Sequence, residues 1–475
     1  MEHNKRRWID LAILAVAQFM IVLDVSIVNV ALPSIQASLG LTISDLQGIV
    51  TAYTLAFGGF LLLGGRAADL YGRKKMFLIG ISAFTFVSFV IGVADSAMLM
   101  VPLRATQGLA AAFMSPAALS LVLSLFPGGK ERSKALSIWG AVSAGGATAG
   151  LLIGGILTQY LNWRWNFFVN IPVGIAVFIA GWRLLPAHTI EERSKSLDLP
   201  GAGLATIGLM MLVYTLSHAN AWGWFSGQTV WFFILSVGVL LLFLYNESRV
   251  KHPLMPLSFF KIGNIAAALA IQLPITASLF AAFFFLTIFI QSVLHYSPLQ
   301  TGFAFLPMSL IIGLSATLAP RAIQRFGYKM VLVVAPLFLA LGLFIFTFIT
   351  VDSSYISLLP GLLIMPIGLG LCFVSITIAA TSGVPGHESG LASGLLNTAQ
   401  QIGGSLGLAI LSGIAASATI AVATTTPQSV AIVEGFHAAF YAGMYFALSA
   451  SVIAFVFLKP IKGDAPHESV AQHGH

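Results

Sequence analysis

A single cysteine, Cys372, stands in the 475 residues, inside an apolar run, so neither a disulfide framework nor a cysteine-based metal site is available. Charge is also scarce. Asp, Glu, Lys and Arg make up 8 % of the chain, where soluble domains carry about 25 %. That poverty excludes a large soluble domain. No grouping of residues has metal-ligand spacing. Nor does a nucleophile or acid–base cluster gather at a membrane face, as an integral-membrane enzyme such as an acyltransferase requires. The sequence therefore predicts no metal, no cofactor and no enzymatic activity. His218, His295 and His437 stand singly near span ends, as interfacial histidines do.

What fills the chain instead is apolar: 58 % of residues are hydrophobic, in runs that repeat along nearly its whole length. About 20 apolar residues cross the roughly 30 Å hydrocarbon core as a helix. Span length and flanking charge give fourteen crossings, at about 9–32, 47–67, 76–94, 99–121, 136–158, 165–185, 200–218, 229–248, 264–290, 299–319, 330–350, 356–382, 391–415 and 437–458. The first is too long and uninterrupted for a cleaved signal peptide. The predicted class is an all-α polytopic membrane protein.

The net charge of +7 would suit a nucleic-acid binder, but its distribution does not. With Lys5, Arg6 and Arg7 cytoplasmic, Arg66, Arg73, Lys74 and Lys75 also fall inside, as do Lys130, Arg132 and Lys134, and so on to Lys459 and Lys462. Arg164 alone lands outside, and Arg104 lies within a span. The positive-inside rule thus places both termini in the cytoplasm, in a cell inner (plasma) membrane, with no nucleic-acid partner. Odd span counts break this pattern.

Two charges stand apart. Asp24 lies a few residues past the middle of span one, and Arg104 lies inside span four. An ionised side chain at that depth costs about 2.5–3.5 kcal/mol on insertion scales, so such residues are commonly functional. At 100° per residue, Gln18, Ser26 and Asn29 share one face of span one, with Asp24 well away from it. Arg104, Gln107, Gly108, Ala111 and Ser115 share a face of span four. We expect Asp24 and Arg104 to meet. An apolar surround favours a protonated acid and a nearby guanidinium favours an ionised one. Such a group is suited to taking up and releasing a proton, the alternative being a purely structural ion pair.

A weak internal repeat joins Gly65–Lys74, after span two, to Pro320–Lys329, after span ten; aligning Gly72 with Gly327 also aligns Lys74 with Lys329. The halves are then residues 1–185 and 263–462, six helices each. Residues 186–262 form a linker with two inserted helices, and 463–475 a cytoplasmic tail. Two halves meeting at a midplane site is a transporter plan.

Several stretches resemble the major facilitator superfamily, and within it the fourteen-span drug:proton antiporter branch. They are Leu23–Pro33, the Gly65–Lys74 loop, Arg104–Gly108, the glycines Gly146, Gly150, Gly154 and Gly155, and Trp163–Phe168 with Asn170 and Pro172. Gly394–Asn397 with Gln401, Gly403 and Gly404 completes the set. The antiporter motif normally continues with proline where this chain has Leu151, and Gln324 replaces the acid that Asp69 supplies in the first half. The resemblance implies a major facilitator fold of two six-helix halves plus two inserted helices. It implies proton-coupled efflux of lipophilic small molecules by alternating access. One membrane-buried acid suits neutral or monocationic substrates better than dications. Export of an endogenous lipid, siderophore or metabolite is the alternative.

Asp24 and Arg104 are the expected proton-coupling residues. Gly65, Asp69, Gly72 and Arg73 are the expected cytoplasmic latch, although Arg73, Lys74 and Lys75 also serve topology. Gly146, Gly150, Gly154 and Gly155 are expected where the halves seal, although helix packing alone accounts for such a stripe. Gln18, Asn29, Gln107, Asn397, Gln400 and Gln401 are candidate substrate contacts. The expected partners are a small-molecule substrate, protons and the lipid bilayer, and the expected state is a monomer.

Overall fold

Lipid offers no hydrogen-bond partners, so a chain this apolar must satisfy its backbone internally, and helices do so within each segment. The computed structural model describes residues 2–126, 129–186, 198–251, 253–382, 384 and 389–459, and among these all regular structure is helical. The first group is α1 (Glu2–Leu39), α2 (Ile43–Tyr71), α3 (Arg73–Val93), α4 (Ala97–Leu125), α5 (Gly129–Tyr160), α6 (Trp165–Phe168) and α7 (Asn170–Leu184). A hairpin follows, α8 (Leu199–Trp222) and α9 (Gly227–Arg249). The last group is α10 (Ile265–Ile288), α11 (Pro298–Ala304), α12 (Leu306–Phe346), α13 (Tyr355–Thr381), α14 (Ser389–Val422) and α15 (Gln428–Phe457). Most of the expected 186–200 linker and all of the 463–475 tail lie outside the described residues.

Among the described residues, thirteen segments are long and apolar enough to cross a membrane. Expected spans 299–319 and 330–350 run together as Pro298–Phe346, 49 residues long. At about 1.5 Å per residue that is roughly 74 Å, over twice the hydrocarbon thickness. The helix is broken inside it at Gly327 (φ 76°, ψ 151°). Gly72, between α2 and α3, takes a similar conformation (φ 98°, ψ 126°). Only glycine populates this region freely.

The repeat extends further than the loop. Thr42 caps α2 in a reciprocal box with Asp45, and Ser297 caps α11 in the same way with Gln300. The interval from cap to glycine is the same, Thr42 to Gly72 and Ser297 to Gly327. Beyond each glycine a side chain closes the end of the last helix of its group. Lys74 Nζ donates to the carbonyls of Trp182 (2.8 Å) and Leu185 (2.6 Å) after α7. The Tyr328 hydroxyl donates to the Lys459 carbonyl after α15, joined there by Asn264 Nδ2 at 2.9 Å. The first contact satisfies a carbonyl of the last turn of α7 that has no intrahelical partner, and the second a carbonyl one residue past the cap of α15.

Small residues set the helix spacings. Gly146 lies against Phe19, Gly150 against Ser26 and Leu23, and Gly154 against Ile27, so this stripe of α5 packs on α1, within the first group. Gly155 turns the other way, where a Cβ would lie 2.7 Å from Leu299 Cα, and a Cβ at Gly302 would lie 2.5 Å from the Leu151 carbonyl oxygen. Without the proline of the motif, α5 runs unbroken through Leu151. The groups also meet at α2 and α14, where Gly58 faces Gln401 and Thr54 hydrogen-bonds Ser405. The inserted α8 lies across that seam: Leu55 of α2, Val213 of α8 and Ala409 of α14 form one buried cluster.

Gly64 tests how far spacing depends on a missing methyl. A Cβ there would lie 2.0 Å from the Ala112 carbonyl, whereas Gly140 has nothing within 4 Å. Gly64→Ala should cost about 1–3 kcal/mol, as overpacking does. It should lower the melting temperature in detergent, with Gly140→Ala close to wild type.

Candidate functional site

Asp24 of α1 has no accessible surface, and Arg104 of α4 is 2 % exposed. Arg104 Nη1 donates to Asp24 Oδ2 at 2.7 Å. The other carboxylate oxygen accepts from two amides, Gln107 Nε2 at 3.0 Å and Asn170 Nδ2 at 2.9 Å. Gln107 Nε2 also donates to Ser88 Oγ (2.8 Å), and Gln107 Oε1 accepts from Arg104. α1, α3, α4 and α7 thus each place a polar group on one carboxylate or on its neighbours. Charge-assisted bonds of this kind are among the stronger ones a fold makes.

The guanidinium is held on its other side by aromatic rings. Arg104 Cζ lies 4.3 Å from the Tyr53 ring centroid and 5.9 Å from that of Phe167. Arg104 Nε reaches the Ile49 carbonyl at 3.5 Å. Tyr53 can come this close because α4 offers Gly108 at that level: a Cβ there would lie 2.2 Å from the Tyr53 carbonyl oxygen. A desolvated cation on an aromatic face gains on the order of 2 kcal/mol. The Tyr53 hydroxyl itself is buried without a hydrogen-bond partner.

Local chain geometry explains how Asn170 arrives. α6 is a single turn, and α7 begins at Asn170 after it. The side chain therefore points from the start of a helix into the first group. Asn166, one turn earlier, bonds Thr158 Oγ1 at 2.7 Å.

The remaining candidates disperse. Gln107, expected in a substrate cavity, is fully buried in the Asp24 cluster. Gln18 is half-buried and accepts from Ser115 Oγ at 3.1 Å, so the polar faces of α1 and α4 do meet. Asn29 turns back to the Val25 carbonyl of its own helix. Asn397 is exposed, Gln400 half-buried, and Gln401 packs against Gly58 with its Oε1 unpartnered. Asp69 and Arg73 form an exposed i,i+4 pair at 3.4 Å, and Arg73 Nη1 reaches the Ser120 carbonyl of α4 at 3.4 Å. Gly65 faces Pro116 Cβ at 3.6 Å, also on α4.

Sequence reasoning assigned no role to Asn170, Ser88 or Tyr53. The signal for Asn170 was its four-residue spacing from Asn166 in an apolar span. It also assigned none to Asp198 and Glu247, which are 4 % and 3 % exposed at the ends of the α8–α9 hairpin.

Breaking a buried ion pair from one side strands the other charge and costs about 3–5 kcal/mol. Arg104→Met should therefore melt well below wild type, and Asp24→Asn in the same chain should recover much of the loss. A double mutant no more stable than Arg104→Met would show that the two charges are not coupled.

The family model of the Major Facilitator Superfamily matches residues 14–408. The puromycin resistance protein pur8 of Streptomyces alboniger is 39 % identical over 470 residues, 96 % of this chain and 92 % of that protein. The tetracenomycin C resistance and export protein of Streptomyces glaucescens is 35 % identical, over 87 % of this chain and 76 % of that protein. The multidrug resistance protein Stp of Mycobacterium tuberculosis is 33 % identical, over 87 % and 77 %. Among solved structures, an auto-inhibited POT family peptide transporter matches with a TM-score of 0.70 at 15 % identity, over 97 % of this chain and 98 % of that one. The inward-open xylose transporter XylE from E. coli matches with 0.62 at 13 %, over 97 % and 98 %. At such identities the structural likeness speaks for the fold alone. Sequence and fold agree: the chain is a multi-pass membrane transporter, not an enzyme, and belongs to the Major Facilitator Superfamily.

Proposed function

We propose that the protein expels lipophilic neutral or monocationic small molecules from the cell in exchange for protons, by alternating access. The observation that carries this reading is the Asp24 carboxylate, buried in a membrane helix with its negative charge matched by one guanidinium. The relatives named above for antibiotic or multidrug resistance support export as the direction.

Asp24 is the proton carrier and Arg104 its counter-ion. As a carboxylate, Asp24 is saturated by Arg104, Gln107 and Asn170. Protonation discharges it and weakens the pull on Arg104, whose guanidinium keeps the Tyr53 face, the Ile49 carbonyl and Gln107 Oε1. The proton thereby changes how tightly α1 is bound to α4 and α7. Each charge moved inward through the membrane potential releases about 2.3 kcal/mol per 100 mV. That is enough to drive a neutral or singly charged solute outward against a gradient.

The topology we propose has fourteen crossings in an inner (plasma) membrane, with Pro298–Phe346 crossing twice about Gly327 and both termini cytoplasmic. The halves 1–185 and 263–462 move as the rocking bodies, the protein acts as a monomer, and the polar groups of α1 and α14 (Gln18, Asn29, Asn397, Gln400 and Gln401) line the substrate path. In this orientation the Gly155–Leu299, Gly302–Leu151 and Gln291–Val30 contacts lie on the external side. Gly140 and Gly145, towards the other end of α5, have nothing within 4 Å. That asymmetry supports an inward-facing state, with Asp69 and Arg73 exchanging their present contacts for a cytoplasmic latch in the other state.

Two experiments test the reading. In proteoliposomes, Asp24→Asn should abolish substrate-driven proton movement while substrate binding survives; an unchanged dependence on the pH gradient removes Asp24 from coupling. Across a panel of drugs, dications should neither be exported nor compete strongly with monocations.

A further inference from the structure

The α8–α9 hairpin carries a second buried acidic site, remote in sequence from Asp24. Asp198 caps the start of α8, its Oδ1 accepting from Gly201 N at 2.8 Å. Asn246, near the end of α9, donates from Nδ2 to both oxygens of Asp198, at 3.0 and 2.9 Å. The next residue, Glu247, accepts at Oε2 from the backbone N of Met255 at 2.8 Å, beyond the end of α9. Its other oxygen, Oε1, is buried and has no donor.

The Glu247 and Asp198 carboxyls lie beside one another at Gly201. Gly201 makes room for both groups: a Cβ there would lie 2.4 Å from Asp198 Oδ2 and 2.8 Å from Glu247 Oε1. Two carboxylates are both acceptors, so neither satisfies the other. Among the described residues no Lys or Arg pairs with either, and the charged group that acts on Glu247 is Asp198. An unpaired buried acceptor and two like charges side by side are both costly, and one hydrogen ion removes both costs.

We propose that Asp198 and Glu247 bind a single proton between them, Glu247 Oε1 donating to Asp198, as a clasp that joins the start of α8, the end of α9 and the connection to α10. The site is separate from the proposed coupling site and does not depend on it. Because α8 lies across the α2–α14 seam, the clasp holds the helix that covers the meeting of the two groups. With the proton in place the two carboxyls are joined, and without it they repel. The stabilisation is therefore complete on the acid side and is lost as pH rises.

Infrared spectra of the purified full-length protein at neutral pH test this directly. The wild type should show a carboxylic-acid C=O band that is lost in Glu247→Gln, whose amide supplies the same donor without titrating. Asp198→Asn should lose the same band, and Asp24→Asn should keep it. The melting temperature of the wild type should fall from neutral to alkaline pH relative to Glu247→Gln. Superposable spectra for wild type and Glu247→Gln, as a water between two carboxylates would give, overturn the inference. So does a parallel alkaline fall of the two melting curves.

Discussion

The arrangement depends on the cost of holding a carboxylate where water cannot reach it. Asp24 is kept in the membrane interior by one guanidinium and two amides, drawn from helices that are far apart in the chain. Asp24 has no accessible surface, so these donors stand where solvent would otherwise be. This is why α1, α4 and α7 must converge at one level, and why Gly108 is required where α2 presses Tyr53 against Arg104. A buried ion pair is not in itself a strong source of stability, because an apolar pair of similar volume often does as well. Its presence is better explained by what the charge can do than by what it holds together.

The repeated architecture supplies the scaffold for that pair. A capped helix, a left-handed glycine and a side chain that closes the last helix occur twice, with Thr42, Gly72 and Lys74 in one copy and Ser297, Gly327 and Tyr328 in the other. The chemistry of the closing residue differs, ammonium in one and phenol in the other, yet each satisfies carbonyls at the same place. Among the described residues the acidic centre occurs in the first copy only, so geometry has been kept symmetric while charge has not.

Much of this was legible in the residues. Charges in oil are rare, so Asp24 and Arg104 stood out, and the shared glycine of the two loops anticipated the break at Gly327. Asn170 was named within a stretch that carries the resemblance but was given no role, and Ser88 and Tyr53 gave little signal, because neutral polar and aromatic residues are common in membrane helices. Gln107 was assigned to the cavity although it shares a face with Arg104, because the residues alone do not show that this face turns onto Asp24. Asp198 and Glu247 passed as ordinary charges at span ends, since only the fold shows that a hairpin brings the two ends together. The glycine stripe Gly146–Gly154 was legible as packing, but the sequence could not say that its partner is α1 while Gly155 alone turns to the other group.

That last division has a mechanical meaning. Where Gly155 and Gly302 meet the opposite group, main chain lies close to main chain, beside a shared cluster of apolar side chains that includes Leu151 and Phe305. Parting such surfaces forfeits many dispersion contacts worth only about 0.1–0.2 kcal/mol apiece, with no single large one among them. The directional ties across this rim are two glutamine bonds, Gln159 accepting from Leu299 N and Gln291 donating to Val30 O. In the proposed cycle a joint built in this way opens by parting many weak contacts, like a smooth-faced valve whose seat is sealed by fit.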